Sequence, residues 1–162
     1  MSRVATLRHL AMLDREVVRM NLEGVTHAHS VVQPRPAGNC INFVLGHLCA
    51  VYERALPMLG QDSVRPAGAL SRYDRGSPPL TDPSEALPLA ELEAIWREQC
   101  ARVDAGLGAM TDEQLAEPSP PVPGVPGDSL GDVVTTMLFH QAYHAGQLGV
   151  LRRLAGIEGA IR

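Results

Sequence analysis

Four stretches of this chain repeat apolar side chains every three to four residues and none alternates apolar with polar residues, so the pattern specifies helices and offers no strand from which to build a sheet. The first stretch runs from about Val4 to Leu22, where Val4, Leu7, Ala11, Val17 and Val18 approximate one face with Arg3, Arg15, Glu16 and Arg19 interleaved. A polar link from His27 to Gly38 follows. Asn39 is then placed to cap a second helix that reaches about Leu59 and is stopped by Gly60. Residues 60–81 hold Pro66, Gly68, Gly76, Pro78 and Pro79 without a sustained period and read as a long connecting loop, a kind of segment often tied to function. Asp82-Pro83-Ser84-Glu85 reads as a cap leading into a third helix that ends near Leu107, although Pro88 blurs its start. Thr111-Asp112-Glu113-Gln114 matches a capping box for one short turn ending before Pro118. Pro118 to Gly127 is too rich in proline for a helix interior or a central strand, and the fourth helix spans about Leu130 to Ala155. The expected architecture is all-α, a four-helix bundle, with residues 1–162 as one domain.

The second helix is apolar around most of its circumference. Ile41, Leu45, Leu48, Tyr52 and Leu59 form one stripe beside another made by Cys40, Val44, Val51 and Met58. Burial at a dimer interface or a central position in the bundle would each account for two stripes.

Polar residues interrupt these apolar faces at three positions. In Met137-Leu138-Phe139-His140-Gln141-Ala142-Tyr143-His144, the two histidines are one turn apart. Counted at about 100° per residue from His140, Val133 and Leu151 fall near 20°, His144 near 40° and Met137 near 60°, so both imidazoles share the apolar side. His47 lies on the second helix among Cys40, Val44 and Val51. An imidazole on an apolar face needs partners for its nitrogens, and a divalent cation is the partner that engages several at once. Three histidines without an evident fourth protein ligand describe an open coordination sphere, which leaves room for water or substrate, whereas structural zinc sites are usually closed by four protein ligands. Zinc or nickel suits such a donor set, with iron, manganese or copper as alternatives.

Other motifs dissolve on inspection. Gly127-Asp128-Ser129-Leu130-Gly131 has the spacing of a serine-hydrolase nucleophile elbow, but five prolines in residues 117–126 exclude the strand that would deliver the serine, and Ser129 with Asp132 makes a capping box. The residue after His140 is Gln141, which cannot act as the general base of an HExxH protease. No histidine has glutamate three residues before it, so the carboxylate-bridged di-iron pattern is absent. No catalytic side chain is assignable. His9 on the first helix and His27 and His29 in the link are expected as surface or loop imidazoles. Tyr73 could reach over the site as a hydrogen-bond donor, although packing its loop down is the simpler role. Tyr143 falls at the edge of the inward face, as core or pocket lining, and Arg152 and Arg153 complement their helix's dipole.

Composition narrows the partners. The net charge is −4, all 14 cationic side chains are arginine without a basic block, and the six aromatic residues are scattered, so neither an electrostatic footprint nor a stacking platform for nucleic acid is present. No run of 18 apolar residues and no basic start before an apolar stretch occurs, and a cytoplasmic protein without a membrane partner is expected. Cys40, Cys49 and Cys100 lack CxxC spacing and are expected as reduced thiols.

Gly38-Asn39-Cys40-Ile41-Asn42-Phe43-Val44-Leu45-Gly46-His47-Leu48, taken with His140-Gln141-Ala142-Tyr143-His144-Ala145-Gly146-Gln147-Leu148-Gly149, resembles the DinB/YfiT-like superfamily of bacterial metal-binding four-helix proteins. The resemblance extends over nearly the whole chain. It implies an up-down-down-up bundle, a homodimer, and a metal held by His47, His140 and His144 with solvent completing the shell. Activities in the family include transfer and isomerisation that use low-molecular-weight thiols, and hydrolysis. The function expected from residues and resemblance together is a metal-dependent enzyme that activates a low-molecular-weight thiol for transfer to a small molecule. A hydrolase using metal-bound water and a non-catalytic metal- or ligand-binding stress-response dimer are the alternatives.

Overall fold

The computed structural model describes residues 2–35, 38–119 and 127–161, so most of the proline-rich crossing expected from Pro118 to Gly127 lies outside the described residues. Among the described residues the chain forms α1 (Arg3–Leu22), α2 (His27–Ser30), α3 (Ile41–Ala55), α4 (Leu89–Ala109), α5 (Asp112–Leu115) and α6 (Leu130–Leu154), joined in places by short 3-10 turns. The one β-type pairing among them is an isolated bridge between Pro118 and Ser129.

Local signals placed several ends correctly. The Thr111 and Gln114 capping box opens α5, and the Ser129 and Asp132 box opens α6, where each serine or threonine oxygen accepts the N–H three residues on. Two expected caps shift. Cys40, not Asn39, stands at the N-cap of α3 and makes no side-chain cap bond. Asp82 caps only a 3-10 turn, Pro83–Glu85, while α4 starts at Leu89 behind Pro88, because the extended backbone at Ala86 and Pro88 breaks the helix between them. The second helix also ends sooner than expected: past Ala55 the chain tightens into a 3-10 turn, Leu56–Leu59, with Pro57 near its start and left-handed Gly60 closing it.

Four long helices form a square in which α1 touches α6 and α4, and α3 touches α4 and α6. Cross-links give their directions. Arg3 pairs with Asp132 at the starts of α1 and α6 (3.2 Å), and Arg152 near the end of α6 donates to the carbonyls of Asn21 (3.1 Å) and Glu23 at the end of α1, so these two run parallel. Arg8 pairs with Asp104 (2.9 Å) across the antiparallel α1 and α4. Asn42 donates to Leu87 O (2.9 Å) and Gln99 to Cys49 O (3.0 Å), which makes α3 and α4 parallel and requires the long connection between them. The order is up-down-down-up. Arg152 is buried in the last turn of α6, where the helix dipole favours it, and it also satisfies carbonyls at the end of α1 and that of Glu158 (2.5 Å), so it caps α1 as well.

The twofold stripe of the second helix has the plainer of its two explanations. Eleven of the 15 residues of α3 are buried by neighbours in the same chain, and the four that remain are Val51, Glu53, Arg54 and Ala55. The apolar faces of α3 are therefore covered within the chain, and no dimer contact is needed to account for them. Large apolar side chains instead stand exposed along the outer side of α6, at Phe139, Tyr143, Val150 and Leu154. Cys40, Cys49 and Cys100 are buried free thiols that pack in the core; burial raises the Cys49 thiol and pushes that of Cys100 up to about 12, which disfavours the nucleophilic thiolate at these two. Among the described residues no helix is long and apolar enough to cross a membrane.

Asp14, on α1, is buried with one carboxylate oxygen unpartnered, and burial raises its pKa to about 6 from 3.8. Because the folded chain binds this proton more tightly than the unfolded one, the associated penalty is absent below about pH 4, grows as pH rises through 6 and is complete above it. Asp14→Asn should accordingly stabilise the protein at pH 8 by about 1–3 kcal/mol and have no such benefit near pH 4. Urea unfolding of both proteins at the two pH values checks this, and a gain independent of pH would contradict it.

Candidate metal centre

Three side chains predicted from the sequence converge between α3 and α6. His47 projects from the middle of α3, and His140 and His144, one turn apart on α6, meet it. Nε2 of His140 lies 3.1 Å from Nε2 of His47 and 3.1 Å from Nε2 of His144. The imidazoles on α6 occupy the edge of its buried stripe instead of the stripe's centre. Val134, Met137, Gln141, Ala145 and Leu148 are buried, which centres the stripe near 100° from His140 and leaves both histidines half-buried at a cleft.

The far sides of two rings are held. His47 Nδ1 donates to the Tyr73 carbonyl (2.8 Å), and His144 Nδ1 donates to Gln147 Oε1 (2.8 Å). A carbonyl oxygen only accepts, so each of these Nδ1 atoms carries a proton, and in the neutral ring that tautomer leaves Nε2 as a lone pair on the side of His140. His140 can supply a proton to at most one of them. Three nitrogens crowded together with too few protons are relieved by a cation, and a metal at about 2.0–2.1 Å from each imidazole would leave them roughly 3.0–3.4 Å apart, the range in which both His140 separations fall, while all three ligand atoms lie within 4.8 Å of one another. Burial first, then the neighbouring imidazoles and the guanidinium groups of Arg54 and Arg75, lowers the His140 pKa to about 4, and burial also lowers that of His144. Both rings are thus neutral at pH 7, the form that binds metal. The donor set fits a divalent ion.

The backbone that holds His47 comes from the long loop. Tyr73 is buried, its hydroxyl donates to Asn42 Oδ1 (2.9 Å) and accepts the Leu87 N–H (2.8 Å), and its ring lies against Gly46. A Cβ on Gly46 would fall within 2.6 Å of Tyr73 Cε1 and nearer still to Cδ1 and Cγ. Tyr73 is therefore an anchor: its hydroxyl points away from the histidines, and its carbonyl is the part that serves them. Residues 74–77 then rim a cleft of about 300 Å³ that reaches the three histidines from solvent, with Phe43 and Val44 on its apolar side.

The remaining expectations sort plainly. Tyr143 is 66% exposed and meets the His144 ring edge-on at a centroid distance of 5.0 Å, so it is neither core nor part of the cleft wall. His9 is exposed. His29 closes the capping box of α2, and His27 Nδ1 accepts the first N–H of α4 from Leu89 (3.3 Å). None of these three joins the cluster. Gly46, Gln147 and the Tyr73 carbonyl were not foreseen. Gln147, three residues beyond His144, was within reach of helical spacing, whereas the other two depend on a loop folding back across 26 residues.

A family model described as the DinB superfamily matches residues 7–148, a span that contains all three histidines. A crystal structure of a conserved protein from Enterococcus faecalis is similar to this chain with a TM-score of 0.72, at 17% identity, over 96% of this chain and 98% of that one; this is a likeness of fold. No curated protein matches the sequence.

Proposed function

We propose, for a chain that belongs to the DinB superfamily, that His47, His140 and His144 hold a divalent metal ion, zinc or nickel in the first instance, and that the site transfers a low-molecular-weight thiol to an electrophilic small molecule. The observation that carries this reading is the convergence of three Nε2 atoms at the end of an open cleft, two of them fixed by hydrogen bonds on the opposite ring nitrogen. When bound, such an ion lowers the pKa of a coordinated thiol or water and so supplies a nucleophile at neutral pH.

The chain's own groups do the rest. Three imidazole ligands contribute no negative charge, which would leave a metal-loaded site cationic and receptive to an anionic sulfur. Phe43 and Val44 offer an apolar wall for the carbon skeleton beside it. Among the described residues the only carboxylate on the cleft wall, Asp74, is paired with Arg54, so none of them stands there as a free general base. That absence favours a thiol, acidic enough to ionise without one, over a water nucleophile. In the transfer, the thiol proton leaves to solvent, the sulfur lone pair forms a bond to the electrophilic carbon, and that carbon releases its leaving group with the bonding pair. The homodimer belongs to this proposal too, with the apolar faces of α3 already covered within the chain; a monomer in sedimentation at micromolar concentration would remove it.

The test is a panel of thiols and alkylating electrophiles assayed with metal-loaded and chelator-stripped protein. Metal-dependent consumption of thiol is expected, with a rate that rises with pH and levels off below the roughly 8.5 of a free thiol. Metal-dependent hydrolysis without thiol would replace transfer with the water reaction, and no metal-dependent rate would reduce the protein to a binding role.

A further inference from the structure

Among the described residues, the rim of the cleft carries one cation without an acidic partner. Residues Asp74-Arg75-Gly76-Ser77 form a tight turn in which the Ser77 N–H donates to Asp74 O (3.1 Å) and Gly76 sits at φ 88°, the left-handed third position that a type II turn requires. The turn is fastened on both flanks. Before it, Tyr73 is buried and hydrogen-bonded to Asn42, Leu87 and His47; around it, Arg72 pairs with Glu85 (2.8 Å) and donates to the carbonyls of Pro78 and Pro79, and Asp74 pairs with Arg54. Every charged side chain of residues 71–77 is thereby engaged except Arg75. Its guanidinium is exposed, lines the same cleft as the three histidines, and has no acidic partner among the described residues. An arginine held on a fixed turn, beside a site that already favours negative charge, is a fork for a planar anion.

We infer that Arg75 recognises a carboxylate on the small molecule that enters this cleft, so that the substrate is an anionic, carboxylate-bearing compound whose reacting atom lies at the histidines. Recognition by Arg75 rests on the proposed cleft as the binding site, and its test separates the two. Binding to metal-loaded protein is measured by calorimetry at fixed ionic strength with 3-mercaptopropionate, with the neutral thiol 2-mercaptoethanol and with succinate. The carboxylate thiol should bind wild type about three- to tenfold more tightly than the neutral one. Arg75→Gln should erase that preference without changing metal content, and Arg75→Lys should restore part of it. A preference for the carboxylate that survives Arg75→Gln, or equal binding of the two thiols to wild type, overturns the assignment, as does inorganic phosphate outcompeting succinate. Succinate binding that depends on Arg75 in a protein that turns over no thiol would uphold the anion fork and refute thiol transfer. Thiol turnover indifferent to carboxylates would do the reverse.

Discussion

Gly46→Ala is expected to cost the protein about 2–5 kcal/mol of stability and roughly ten- to hundredfold in metal affinity, although residue 46 carries no ligand. The added methyl would collide with the Tyr73 ring, which is wedged against α3 and cannot rotate away while its hydroxyl bridges Asn42 and Leu87. Displacing that ring strands buried hydrogen-bonding groups, each worth about 1–3 kcal/mol when left unpaired. It also withdraws the Tyr73 carbonyl from His47 Nδ1, freeing the imidazole to rotate and to take the wrong tautomer. Tyr73→Phe separates the two effects. It removes the hydroxyl but keeps the carbonyl and the ring, so stability should fall while metal affinity is largely retained. Thermal unfolding and metal competition titrations on both variants check the pair. A Gly46→Ala protein with wild-type stability and wild-type metal affinity would show that the loop does not position His47.

The parts of this molecule that were readable in the sequence are those whose partners lie within a helical turn. The caps at Thr111 and Ser129 are closed by residues three positions on, and His140 and His144 share a face because four residues make about one turn. His47 was recognisable as a polar residue on an apolar face. What was not readable depends on contacts distant in sequence. Asp82 has every local mark of a helix cap, and the helix nonetheless starts beyond Pro88, where Leu89 can give its first N–H to His27 from the other side of the chain. Arg152 has the composition of an ordinary C-terminal cation, yet two of its partners are carbonyls at the end of α1 some 130 residues away. Asp14, buried on α1 with an oxygen unpaired, sits in a stretch whose polar residues otherwise read as a solvated face. The orientation of the His47 ring was invisible as well, since it is set by an acceptor from the long loop.

Removing a histidine is the other large effect expected, and it bears on the central claim. His47→Ala, His140→Ala or His144→Ala deletes one of three donors that the chain supplies, so each should lower metal affinity by more than the roughly hundredfold ceiling typical of outer-shell changes. The fold should survive. His140 and His144 are half-exposed at the cleft edge and the buried stripe of α6 is made by other residues, so truncation there opens little internal space. The most direct measurement is equilibrium dialysis of wild type and the three variants against zinc and nickel, followed by metal analysis, with circular dichroism confirming equal helix content. One ion per wild-type chain, retained at micromolar free metal and lost from every histidine variant, is the predicted result. Failure of the wild type to take up zinc, nickel, iron or manganese, or uptake unchanged by His144→Ala in a folded protein, would contradict the three-histidine centre.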